Sequence, residues 1–146
     1  GENNKEAKKY FQELLNRYPD SEYAKDSRQK LIFINENIAA KDMEIAIFYL
    51  KQEQYLAALG RYNKVIEEYP KSKFIPEALY RLVEIYIILG MEDEAKKAAS
   101  VIVYNYPGSE WYEDSYNLIN EEYYEKNKNT LRKKILNLFK KDEATE

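Results

Sequence analysis

Three of the chain's four prolines directly follow a tyrosine and precede a serine by two places: Tyr18-Pro19-Asp20-Ser21, Tyr69-Pro70-Lys71-Ser72 and Tyr106-Pro107-Gly108-Ser109. Each copy closes an amphipathic stretch. Before Pro19 the apolar side chains Ala7, Phe11, Leu14, Leu15 and Tyr18 recur at helical spacing. Before Pro70 come Ala58, Tyr62, Val65, Ile66 and Tyr69, and before Pro107 come Ala95, Ala99, Ile102 and Tyr106. Proline has no N–H with which to continue a helix, and it pushes the residue before it out of helical geometry. A serine two places on is free to cap a new helix, and Ser21 and Ser109 are placed to do so. The motif stops one helix and starts another.

A longer pattern hangs from the same prolines. Counting back 24, 21 and 12 places from Pro70 gives Ala46, Tyr49 and Ala58; from Pro107 it gives Val83, Tyr86 and Ala95. At 8 and 5 places back stand Tyr62 with Val65, and Ala99 with Ile102, while Pro19 has Ala7, Phe11 and Leu14 at 12, 8 and 5. Small residues at helix crossings in a repeat of about 34 residues are the tetratricopeptide pattern of two antiparallel helices. The expected fold is therefore all-α: a tetratricopeptide-like, right-handed helical solenoid of antiparallel hairpins.

The expected organisation is one domain over residues 1–141. It begins with the second helix of a partial repeat at 5–18, so the chain is expected to be a fragment of a longer solenoid. Pro19 and Pro70 stand 51 residues apart, which leaves room for about one extra helix. No Gly or Pro interrupts the chain between Ser21 and Gln52. There Tyr23, Ser27, Leu31, Ile34 and Ile38 form one stripe, continued by Asp42, Ile45, Ala46 and Tyr49, which predicts one long helix at 22–51. Repeats follow at about 39–72 and 76–109, with Pro76 opening a helix and Gly90 ending it. Two C-terminal helices are expected at 110–125 and 128–141, the last a cap, with a disordered tail at 142–146.

Composition narrows the chemistry. With no histidine, the commonest general base and metal ligand is missing; with no cysteine, so are thiol nucleophiles and thiolate metal sites. Glu67–Glu68, Glu92–Asp93–Glu94 and Glu121–Glu122 fall on polar faces or in turns, where a raised carboxyl pKa is not expected. Four scattered glycines cannot build a phosphate loop. No enzyme, catalytic residue, metal or cofactor is expected. A formal net charge of −3 gives no electrostatic basis for nucleic acid as a partner, and no apolar run approaches the ~20 residues that span a bilayer.

What remains is surface. The fifteen tyrosines fall on helical stripes and at helix ends, where a ring packs and a hydroxyl finds a polar neighbour. On the inner face, the first helices of the two repeats carry Met43, Ile47, Tyr80 and Ile87, an apolar and aromatic groove without the lysines and asparagines of a carboxylate clamp. This groove either receives an apolar ligand or is filled by the chain's own C-terminal segment. On the outer face of the second helix, Arg61, Lys64 and Glu68 lie at i, i+3 and i+7, where an arginine can make a bidentate contact with a partner carboxylate. The basic run Lys126, Lys128, Arg132, Lys133, Lys134, Lys140 and Lys141 reads as the solvated face of a capping helix, or as a contact for a membrane surface or an acidic partner.

The stretch "DMEIAIFYLKQEQYLAALGRYNKVIEEYPKSKFIPEALYRLVEIYIILGMEDEAKK", followed by "YNYPGSEWYEDSY", resembles the BamD family, the tetratricopeptide lipoproteins of the outer-membrane β-barrel assembly complex. The resemblance covers about residues 5 to 117, and "SEYAKDSRQKLIFINENIA" matches an extra helix of that family. Several expectations follow from the resemblance alone. Full-length members carry a lipidated N-terminal cysteine that holds them at the periplasmic face of the outer membrane; this chain, lacking that segment, is expected to be a soluble C-terminal half. The C-terminal repeats of the family dock on the membrane-proximal POTRA domain of BamA and meet smaller lipoproteins of the complex, whereas N-terminal repeats are associated with substrate signals. Arg61 matches the family arginine that contacts an acidic POTRA residue. Beyond about Leu118 the chain departs from the family.

Two functions follow from these readings. One is a non-enzymatic scaffold subunit of the outer-membrane β-barrel assembly machinery, docked on BamA through Arg61, Lys64 and Glu68. The other is a periplasmic peptide-binding or chaperone-like module that takes unfolded outer-membrane proteins into the groove of Met43, Ile47, Tyr80 and Ile87.

Overall fold

The computed structural model describes residues 2–144, with side chains through residue 139. Among the described residues there are seven α-helices and no strand: α1 (Glu2–Arg17), α2 (Glu22–Lys51), α3 (Tyr55–Glu68), α4 (Ile75–Ile88), α5 (Glu92–Asn105), α6 (Tyr112–Leu118) and α7 (Glu121–Ala144). The fold is all-α and tetratricopeptide-like, and the long helix expected at 22–51 is α2.

The three Tyr-Pro seams share one hydrogen-bond scheme. The tyrosine N–H donates back into the ending helix, Tyr18 to Leu14 O at 2.9 Å, Tyr69 to Val65 O at 3.0 Å and Tyr106 to Ile102 O at 2.9 Å. The serine N–H then donates to the tyrosine carbonyl, from Ser21, Ser72 and Ser109 at 3.3, 3.0 and 3.1 Å. Side chains differ more. Ser21 Oγ accepts from Ala24 N–H at 3.1 Å, a true cap of α2. Ser72 Oγ, not expected to cap, accepts from Phe74 N–H at 3.1 Å. The cap expected from Ser109 does not form, and its buried hydroxyl has no partner.

The turns inside the two hairpins also correspond. Gln54 N–H reaches Tyr49 O at 2.9 Å and Met91 N–H reaches Tyr86 O at 2.8 Å, each closing a helix through one left-handed residue. That residue is Gly90 (φ 75°) in the second turn but Glu53 (φ 58°) in the first.

Backbone contacts group into two compact units, Gly1–Lys41 and Asp42–Glu146, which divide within α2 and inside the 1–141 span read from sequence as one domain. In the first unit, α1 buries no side chain fully; Lys30 Nζ lies 5.5 Å from the Phe11 ring centre, and Arg28 donates to Pro19 O at 3.3 Å. Along α2 the buried stripe is Ala24, Ser27, Leu31 and Ile34, while Tyr23, expected to lead it, faces solvent.

In the second unit α4 is the central element, packed against α3, α5 and α7. Pro76 sits in its first turn, where a missing N–H is harmless, and nine of its residues are buried. Leu50, Tyr62, Val65, Val83, Ile85 and Ile102 are sealed from solvent, each worth about 1.5–3 kcal/mol of apolar transfer. Ala46, Ala58, Ala95 and Ala99 are buried where sequence reading put the helix crossings, and their small side chains admit close backbones.

The C-terminal boundaries need correction. A helix over 110–125 is expected, but α6 ends at Leu118 and α7 begins at Glu121. Asn120 makes the break: its Oδ1 accepts from Tyr123 N–H at 3.0 Å, and Glu121 and Glu122 follow in the first turn, where the helix dipole favours acids. From there α7 runs through the break expected near residue 127. Of the expected tail, 142–144 belongs to α7, while 145–146 lies outside the described residues.

The two left-handed turn residues predict opposite stability changes. Gly90→Ala should destabilise by about 1 kcal/mol, and Glu53→Gly should stabilise by up to about 1 kcal/mol, because only glycine takes this conformation without a Cβ penalty. Urea unfolding of the two variants beside wild type measures both.

Candidate docking site

Asp42 lies in the apolar stripe of α2, and its residue is only 4% exposed. A carboxylate so far from water must be paired. Two side chains of α3 supply the partners. Arg61 Nη1 donates to Asp42 Oδ1 at 3.0 Å; Lys64 Nζ stands 3.4 Å from Oδ1 and 3.3 Å from Oδ2. Arg61 and Lys64 are three residues apart, hence neighbours on one face of α3. Their side chains keep 36% and 39% of their exposure while the acid beneath keeps 5%. The cations are thus anchored from below and open from above.

Glu68, expected in the same row, is exposed and does not join Asp42. It serves Tyr69 instead. Burial chiefly pushes the Tyr69 hydroxyl above the ordinary phenol range, followed by the charges of Glu68 and Asp42 and a hydrogen bond to Glu68. So the structure joins Arg61 and Lys64 through a residue that sequence reading left among the stripe positions. The available signal was an aspartate in register with alanines and isoleucines, where a bare charge is not tolerated.

The groove residues are less unified. Met43 and Ile87 are buried, and Ile47 and Tyr80 are half-buried. Helix α7 packs on α4 and α6, burying Tyr124 and Ile135. Arg132 of α7 donates to Ile88 O at 3.1 Å, satisfying a carbonyl at the end of α4. Lys128 pairs with Glu125 at 2.8 Å, and Lys133 and Lys134 face solvent; the side chains of Lys140 and Lys141 lie outside the described residues. Beside α7 lies a cavity of about 510 Å³, lined by Tyr80, Arg81, Glu84, Trp111 and Asp114 among others. Tyr80 stacks on Trp111 with ring centres 6.3 Å apart, and its hydroxyl reaches Asp114 at 3.5 Å. Ile87 lines a separate cavity of about 190 Å³ with Tyr124 and Arg132, and Met43 and Ile47 line neither. Helix α7 therefore covers part of the surface of α4, while Tyr80, Arg81 and Glu84 still open on the larger cavity.

A second buried acid marks α4. Glu84 Oε1 accepts from Arg81 Nη1 at 2.6 Å, and Glu77 lies 3.9 Å from the same guanidinium. Burial raises the Glu84 carboxyl above its ordinary range, partly opposed by Arg81. Among the described residues no helix is long and apolar enough to cross a membrane, and no cluster of three acidic side chains could hold a metal ion.

Paired antiparallel helices with repeated seams and a cationic second-helix face define a tetratricopeptide-like helical repeat protein. The chain belongs to the YfiO outer membrane lipoprotein family, whose model matches residues 1–101 and so includes Asp42, Arg61 and Lys64. It is similar to "Outer membrane protein assembly factor BamD" of Caulobacter vibrioides, at 45% identity over 111 residues, 76% of this chain and 36% of that protein. The protein of the same name from Rickettsia prowazekii is 44% identical over 113 residues, 77% of this chain and 45% of the relative. A third, from Xylella fastidiosa, is 35% identical over 101 residues, 69% of this chain and 35% of the relative. The chain thus spans less than half the length of these relatives.

Glu84 yields a pH prediction. A carboxyl whose pKa is raised on folding contributes most to stability below its unfolded value, and that contribution is lost as pH rises through the folded value. As pH rises from about 4, near the unfolded carboxyl value, wild type should therefore lose stability relative to Glu84→Gln. Urea titrations of both proteins across that rise check the sign.

Proposed function

We propose that this chain is a non-catalytic scaffold segment of outer-membrane protein assembly at the periplasmic face of the outer membrane. It docks through the Arg61 and Lys64 face of α3 on the membrane-proximal POTRA domain of BamA, with the smaller lipoproteins of the complex as further partners. One observation carries the reading: two half-exposed cations held side by side over a buried acid. An arginine so held offers a partner carboxylate a pre-formed, charge-assisted contact. The names of the relatives support the assembly role, and the missing histidine and cysteine support a role without catalysis. Glu68 stands at the edge of the contact, where rim charges tune the rate of association more than affinity.

Titrating isolated POTRA domains against wild type and Arg61→Glu tests the reading. Charge reversal at the centre of the contact should weaken binding by about tenfold or more. Equal binding would remove Arg61 from the interface.

A second reading has one observation in its favour, the cavity beside α7 where Tyr80 and Trp111 stack. Here this cavity, rather than the groove of Met43, Ile47 and Ile87, takes apolar or aromatic segments of unfolded outer-membrane proteins. The single tryptophan, Trp111, reports on that cavity directly. Peptides ending in aromatic residues should change its fluorescence saturably, and less strongly once residues 127–146, which supply Leu131, Ile135 and Leu138 to the lining, are removed. An unchanged signal in both proteins would contradict this use of the cavity.

A further inference from the structure

We propose that Asp42 is the positioning residue of the docking face, its buried carboxylate fixing Arg61 and Lys64 as a paired platform for an acidic side chain of the partner. This inference rests on the docking role given to Arg61 above. A carboxylate in an apolar helix stripe is not needed for packing, since replacing a buried ion pair with hydrophobic side chains is often neutral or stabilising. Yet Asp42 is buried beside Met43 and Ala46; its Oδ1 accepts from Arg61 at 3.0 Å and from Lys64 at 3.4 Å, while its buried Oδ2 accepts no hydrogen bond and lies 3.3 Å from Lys64 Nζ.

The geometry accounts for its place. Helix α2 carries the acid inward, α3 carries the two bases at its edge, and the acid contacts each base from the buried side. Guanidinium has five donors, and Asp42 engages Nη1, so the group can still meet a second carboxylate. One acid against two bases leaves the cluster one positive charge in excess. A long side chain ordered before docking loses less freedom on association, which lowers the entropic barrier to binding. The partner chemistry this favours is a carboxylate with both oxygens presented edge-on, the match for an arginine fork.

The test uses the full chain and isolated POTRA domains, with Asp42→Asn, Arg61→Ala and the double variant. Thermal melts establish that each variant is folded. Should Asp42→Asn fail to fold, Asp42→Leu replaces it, because an apolar side chain of similar size suits the stripe. Two quantities are read: solvent exchange of the Arg61 Nη–H protons by nitrogen-15 NMR without partner, and the dissociation constant with partner. The expected result is faster Arg61 exchange in the Asp42 variant and docking weakened roughly fivefold, with the double variant no weaker than Arg61→Ala alone, as coupled residues require. Unchanged exchange would overturn the proposal, as would an Asp42 effect that persists undiminished beside Arg61→Ala. Arg61→Ala binding like wild type would instead sink the docking role itself. Arg61→Ala weakening while Asp42→Asn does not would sink only the positioning role.

Discussion

A proline amide that cannot donate a hydrogen bond sets the frame for the rest of this molecule. At Pro19, Pro70 and Pro107 the preceding tyrosine is held by the helix it ends, and its carbonyl then receives the serine that opens the next segment. Because the seams are alike, helices of similar length end at equivalent places, and small residues meet at equivalent crossings. In the second unit this repetition brings the end of α2 alongside α3, and so the acid at position 42 under the bases at 61 and 64. A shift of one residue in α3 would turn Arg61 by about 100° and break the pair. The pairing of Asp42 with Arg61 and Lys64 is thus a consequence of where the helices stop.

The two buried acids of the second unit show how similar ion pairs come to differ. Glu84 is 3% exposed and its partner Arg81 lies on the same helix, flanked by Tyr62 and Glu77. That pair is turned inward beside the cavity under α7. Asp42 is equally deep, yet its partners lie on the neighbouring helix and remain more than one-third exposed. Only the second arrangement presents positive charge where another molecule can reach it. Part of the surface of α4 is covered by α7, whose Arg132 donates to a carbonyl of α4 and whose Ile135 is buried.

Much of the fold was legible because proline, glycine and alanine act locally. The tyrosine-proline spacing located helix ends, Gly90 located a turn, and the uninterrupted run after Ser21 located the 30-residue α2. Glu53 in a left-handed conformation was hidden because nothing in its side chain requires it; the equivalence with Gly90 shows only once both turns are aligned. The α6–α7 break carries no glycine or proline to mark it in the sequence, only Asn120, whose side chain caps α7. At the site, Arg61 and Lys64 could be placed on one face from spacing alone. Asp42 could not be tied to them, since it lies 19 residues before Arg61 and on another helix. Periodicity marks a buried position without naming what it touches.

The docking role proposed for the Arg61 and Lys64 face of α3 is open to a direct test. Hydrogen–deuterium exchange of the chain, alone and bound to POTRA domains, tests it without altering any residue. Slowed exchange on binding should concentrate in peptides covering residues 42–51 and 55–68, with α6 and α7 unchanged. Protection confined to α4, α6 and α7, leaving α3 as in the free chain, would contradict it.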